Sequence, residues 1–197
     1  MKAIETVYNG YKFRSRLEAR WAVFFDAIGA EWEYEPEGFV LSDSTKYLPD
    51  FLLHNVQGRG TSEIYVEIKG VLSDEDLHKI SLFSYGNGNG GLYGEAENPI
   101  IIFGKIPEEK WYSDLYVNGK LFDKAHYKID YSKDNNWYFY NLRFSEGDDY
   151  LTEPKAKKGG GLVLDYPDNP YDFVDMDRTL EAYRKARQAR FEHGEKP

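Results

Sequence analysis

Tyr47-Leu-Pro-Asp-Phe-Leu-Leu53, a polar loop, and Glu63-Ile-Tyr-Val-Glu-Ile-Lys-Gly70 decide how this chain reads. Across 64–69 apolar and polar side chains alternate with a period of two, the pattern of a strand with unlike faces. Ile64, Val66 and Ile68 fall on one side; Tyr65, Glu67 and Lys69 fall on the other. Gly70 ends the run. Residues 47–53 read as the preceding strand, with Pro49 restricting its start to an edge or a bulge. Residues 54–62, with two glycines, join the two strands.

Working outward, Leu17, Trp21, Phe24, Phe25 and Ile28 recur on one face of a 3.6-residue period. Ser15 and Glu18 form a capping box at the start, and Gly29 supplies a stop, so a helix is expected over 15–28. Residues 32–41 look extended, interrupted by Pro36 and Gly38. Ser73-Asp-Glu-Asp76 opens a second helix to about Tyr85, with acids where the helix dipole favours them. Gly86 to Gly94 is a glycine- and asparagine-rich loop. Pro99-Ile-Ile-Ile-Phe103 has the continuous apolar character of a central strand.

The order is helix, three strands, helix, strand. It predicts an α/β fold over 1–105, a mixed β-sheet flanked by helices. Over 106–197 a β-rich extension is expected, packed on that core and ending in a helix. Val117-Asn-Gly-Lys120 signals a hairpin between 115–117 and 120–122. Residues 137–144 and 162–166 read as strands, Lys155 to Gly161 as a basic loop, and 176–192 as the final helix. No repeat of solenoid period is present.

A chain of 197 residues can bury a core without staples. The absence of cysteine excludes disulfides, thiolate metal sites and a thiol nucleophile. Met1–Tyr11 has no apolar h-region, and no run approaches the ~18 apolar residues of a membrane span, so a cytoplasmic protein is expected. The 17 Tyr and 12 Phe suit a β-rich core and can also stack on bases. The net charge of −9 opposes passive nucleic-acid binding. A bound divalent cation would invert the local field.

Asp50, Glu67 and Lys69 carry the chemistry. Glu67 and Lys69 share a strand face, roughly 7 Å apart along it, and Asp50 lies on the neighbouring strand. Two or three carboxylates suffice for Mg²⁺ or Mn²⁺, which prefer hard oxygen ligands, and the carbonyl of Ile68 could complete the shell. Read separately, Glu-x-Lys on a strand is also the pattern of a solvated ion pair, and Pro-Asp that of a turn.

The segments Phe13-Arg-Ser-Arg-Leu-Glu-Ala-Arg-Trp-Ala-Val-Phe-Phe-Asp26, Tyr34-Glu-Pro-Glu37, Tyr47-Leu-Pro-Asp-Phe51 and Val66-Glu-Ile-Lys-Gly70 resemble the PD-(D/E)XK nuclease superfamily. Within it, they resemble small nuclease-like proteins of phages and prophages. The resemblance spans about residues 8–105 and implies a restriction-endonuclease-like α-β-β-β-α-β core. It implies a metal-dependent nuclease, acting on DNA more than RNA, in a bacterial host's cytoplasm if phage-encoded. Asp50 and Glu67 would hold the metal, Lys69 would orient the attacking water, and Glu18 would be the first-helix acid of resolvase-like members. The capping box competes with that role for Glu18. Alternatives are a resolvase-like homodimer on branched DNA and a non-catalytic binding protein keeping the fold.

Nucleic-acid contacts are expected from Arg14, Arg16 and Arg20 around the first helix, where Arg16 and Arg20 are one turn apart and could clamp a phosphate. Lys79 is a second-helix candidate. Arg184, Arg187 and Arg190 recur every third residue beside Lys185, a backbone-binding stripe in residues 175–197, whose net charge is +1. Lys155, Lys157 and Lys158 form a weaker version. Each of these is equally the composition of a solvated face. The glycines of 86–91 precede no Gly-Lys-Ser/Thr, and His54, His78, His126 and His193 show no metal spacing.

Overall fold

The computed structural model describes residues 4–57, 62–71, 73–85, 98–106, 126–127, 154–164 and 174–191. The expected hairpin at 115–122, the strand at 137–144 and the loop at 86–94 lie outside these residues.

The chain opens with a hairpin, β1 (Thr6–Tyr8) and β2 (Tyr11–Phe13), turning at Asn9 and Gly10 with φ of 47° and 84°. Both positive angles suit the two-residue turns that match strand twist. Helix α1 (Arg16–Ile28) follows. Extended Ser15 caps it, its Oγ accepting from Glu18 N at 3.2 Å, and Gly29 closes it in the left-handed region at φ 71°. The positive φ is what favours glycine here; a Cβ would also crowd Arg178 Nη2 at 3.0 Å, which the flexible Arg side chain could relieve.

Strand β3 (Glu31–Tyr34) stops at Glu35, whose φ is 47°. Phe39–Val40, β4, pairs instead with β5 (Lys46–Tyr47), so 32–41 is not one strand. Residues 47–53 also split: after Pro49 and Asp50 the chain enters β6 (Phe51–His54), antiparallel to β3 and to β7 (Ile64–Ile68). Phe51 lies opposite both Tyr34 and Val66. Helix α2 (Asp74–Tyr85) then carries the chain from β7 to β8 (Ile100–Phe103), which runs parallel to β7. A parallel pair requires such a crossover. With β9 (His126–Tyr127) the sheet reads β3-β6-β7-β8-β9, a mixed α/β arrangement.

Lys155 to Gly161 is not a loop throughout. Pro154–Lys157 is a strand, β10, between β11 (Leu162–Leu164) and β12 (Val174–Asp175). Only the following turn is irregular, with Gly159, Gly160 and Gly161 all at positive φ. Helix α3 (Met176–Gln188) ends four residues before the expected 192, at Ala189 with φ −55° and ψ 122°.

Side-chain alternation in β8 shows how the sheet is covered. Ile101 and Phe103 join a core with Trp21, Phe24, Phe25 and Ile28 of α1; Ile100 and Ile102 join a smaller cluster with Ile80 and Phe83 of α2. The larger core also takes in Leu162 and Leu164 of β11 and Ala182, Tyr183 and Ala186 of α3. Phe24 stacks on Tyr183 and Trp21 on Phe103, each with ring centroids 4.5 Å apart. Truncating one such buried ring to Ala costs about 3–5 kcal/mol. No helix among the described residues is long and apolar enough to cross a membrane.

Candidate functional site

The break between β5 and β6 places the site. Asp50 sits at the entrance to β6, opposite the end of β7, and its Oδ2 accepts from Ile68 N at 2.7 Å. One residue earlier, Glu67 points to the α2 side of the sheet. Its Oε2 accepts from Tyr47 Oη at 2.7 Å, and its Oε1 lies 3.0 Å from Lys69 Nζ. The Lys69 ammonium also meets Asp76 of α2 at 3.0 Å. Asp50 and Glu67 are each only 4% exposed.

Glu18 approaches from α1 and is 6% exposed. Its Oε1 accepts from Ser15 Oγ at 2.6 Å, and its Oε2 from Tyr34 Oη at 2.7 Å and Arg14 N at 3.0 Å. Glu18 thus keeps the capping contact with Ser15, while its charge acts on Asp50. Arg14 completes the group. Its Nη2 lies 2.6 Å from Asp50 Oδ1 and its Nε 2.8 Å from Glu35 Oε1, while half the side chain stays in solvent.

The electrostatics follow from crowding acids out of water. Burial pushes the Asp50 carboxyl well above the usual carboxylate range; the charges of Glu67 and Glu18 push it further, against Ile68 N–H and Arg14. Burial likewise raises the Tyr47 phenol, reinforced by Glu67. For Lys69, burial disfavours the ammonium, but Glu67 and Asp76 outweigh it and hold the pKa above the ordinary lysine value. Lys69 therefore stays a cation and a hydrogen-bond donor at neutral pH.

A divalent cation suits this donor chemistry: two buried carboxylates, a third beside them, and mutual repulsion felt at Asp50. Within one strand residue the N–H and C=O point toward the same neighbour, so the Ile68 carbonyl faces the Asp50 side along with its N–H. Yet among the described residues no three Asp, Glu or His side chains converge into a coordination sphere. Each carboxylate oxygen is bonded within the fold: Asp50 to Arg14 and Ile68, Glu67 to Tyr47 and Lys69, Glu18 to Ser15, Tyr34 and Arg14.

The other basic residues stand apart from this cluster. Arg16 is half-buried and has a partner within the fold. Lys79 pairs with Glu75 at 2.5 Å, and Arg184 with Glu181 at 2.5 Å. Since α3 ends at Gln188, Arg190 stands beyond the helix, and Arg184, Arg187 and Arg190 do not make one helical stripe. Lys155 and Lys157 lie on β10 and Lys158 in its turn. Sequence reasoning missed Tyr34, Tyr47 and Asp76, which hold Glu18, Glu67 and Lys69; Asp76, in the first turn of α2, carried the one local signal. Comparison of the chain with protein-family profiles, curated proteins and solved structures finds no match.

Proposed function

We propose that the chain is a Mg²⁺- or Mn²⁺-dependent phosphodiesterase acting on nucleic acid, DNA in preference to RNA, of the PD-(D/E)XK type. The observation that carries the reading is the meeting of buried Asp50, buried Glu67 and cationic Lys69 at the end of two adjacent antiparallel strands, beside Glu18. The succession α1, β3, β6, β7, α2, β8 supports a restriction-endonuclease-like core.

Asp50, Glu67 and the Ile68 carbonyl would hold the cation, with Glu18 beside them. When bound there, it polarises a phosphate and lowers the pKa of a bound water. Lys69 donates a hydrogen bond toward the attacking water or the phosphate oxygens, since its proton is held too firmly for a general base. Tyr47 and Asp76 fix Glu67 and Lys69 in place. Arg14, freed from Asp50, has the fork geometry to receive a phosphate.

The test is cleavage of plasmid, single-stranded DNA and RNA with Mg²⁺ or Mn²⁺, wild type against Lys69→Ala. A loss on the order of 10²–10³ is expected, the usual cost of removing one donor from a developing charge. Equal rates in the two proteins overturn the catalytic reading.

A further inference from the structure

On the other side of α1 lies a cavity of about 530 Å³, lined by Arg20 of α1, Arg187 and Gln188 of α3, and Ala189 and Arg190 just after it. Three guanidinium-bearing residues from two elements meet there, and no acidic side chain lines the cavity among the described residues. The Nε of Arg20 is shut off from solvent and has no hydrogen-bond partner among the described residues. Buried donors are normally satisfied, and an acceptor in the cavity can satisfy this one only when the Arg20 guanidinium turns toward it. The attraction of a helix C-terminus for cations accounts for basic residues on α3. It does not account for an Arg sent across from α1 with its N–H unspent.

We infer that this cavity is a phosphate-binding site, distinct from the carboxylate cluster, that holds the sugar-phosphate backbone of a nucleic-acid strand. Guanidinium forks match phosphate oxygens in pairs, which favours an oxyanion. The volume far exceeds a lone phosphate and suits a backbone unit with its sugar. Among the described residues the lining has no aromatic ring on which a base could stack, so the grip is on backbone and independent of sequence. An adjoining cavity of about 490 Å³ along the same helix seam shares Gln188 and Ala189 but contains Asp26. The Asp26 oxygens are taken by Tyr8 Oη and Trp32 Nε1, and its charge leaves the arginine end as the anion site. Arg20 is about 200° around α1 from Glu18, so the phosphates held here are not those beside Asp50. The choice of a nucleic-acid strand as the source of the phosphate rests on the function proposed above; the anion site itself does not.

The test is run in EDTA, which removes any contribution of metal at the carboxylates. Arg20 Nε–Hε resonances of ¹⁵N-labelled protein are followed while a short oligothymidylate or inorganic phosphate is added, and oligonucleotide binding is measured against salt. The oligonucleotide should move the Arg20 resonance. Arg20→Gln should weaken binding roughly threefold to tenfold and lower the salt slope by about 0.7 per lost phosphate contact. Arg190 is exposed, so Arg190→Gln should do the same without risk to folding. An unmoved Arg20 resonance, or oligonucleotide binding unchanged by both variants, overturns the site. A response to inorganic phosphate alone overturns the strand assignment. Cleavage by wild type and Lys69→Ala reads the other proposal separately, because binding here needs neither metal nor Lys69.

Discussion

On the proposed function Arg14 would compete with the cation for Asp50, and its removal has a calculable consequence. The guanidinium contacts Asp50 Oδ1 at 2.6 Å, so its positive charge would oppose a cation drawn to the same oxygen. A charge-assisted hydrogen bond is worth about 1.5–3 kcal/mol net. The Arg14 side chain is 52% exposed, so screening by solvent places the value at the low end, near ~1.5 kcal/mol. Since ~1.4 kcal/mol corresponds to tenfold in affinity, Arg14→Gln should tighten Mn²⁺ binding roughly tenfold. Calorimetric titration compares the two proteins at the same pH, because a proton on the raised Asp50 carboxyl competes with the metal. Lys12→Gln is the control. It removes the same unit of charge from a residue that pairs with Glu5, with both side chains about two-thirds exposed. It should change affinity less than ~2-fold, as expected of a screened surface charge. In EDTA the melting temperature of Arg14→Gln should fall, because Asp50 loses its counter-charge, and saturating Mn²⁺ should raise it by more than in wild type. Unchanged or weaker Mn²⁺ affinity in Arg14→Gln would refute the competition. So would equal tightening by Lys12→Gln.

Two further expectations concern the surroundings. Tyr47→Phe strips Glu67 Oε2 of its buried donor, at a cost of about 2 kcal/mol, so the melting temperature should drop roughly 4–8 °C; a shift below ~1 °C contradicts the role given to that bond. His54 lies 2.9 Å from both Glu33 and Glu63. Burial lowers its pKa, but those carboxylates outweigh burial and raise it above 6.5. The protonated ring therefore stabilises the fold fully below pH 6.5, and this contribution disappears as pH rises through the higher folded-state pKa. The melting-temperature gap between wild type and His54→Gln should shrink across that rise, and a gap that widens contradicts the sign.

Some of this was legible in the chain because the signals were local. Ser15, Glu18, the apolar face and Gly29 all lie within α1 or beside it, so its ends could be read almost to the residue. Glu67 and Lys69 are two apart on an alternating strand, which fixes their shared side whatever the fold. The position of Asp50 beside Ile68 depends on pairing across 18 residues, and that of Arg14 on Asp50 across 36. No periodicity encodes such distances. The β1–β2 hairpin was announced by Asn9-Gly10, but arms of three residues are too short to show alternation. Strand β10 was hidden by composition: Lys155 and Lys157 dominate its appearance, while the residue buried between them is the small Ala156.

The far end of α1 depends on parts of the chain made much later. The carbonyl of Ala27 accepts from Arg178 Nε at 3.1 Å, and that of Ile28 from Gly161 N at 2.9 Å. Tyr183 covers the ring of Phe24. A ribosome that has released only the first hundred residues has delivered every carboxylate of the cluster. It has not delivered the donors that finish the helix carrying Glu18, nor the ring that shields its apolar face. The helix that carries Glu18 is therefore completed only once residues as late as Tyr183 have folded back onto it.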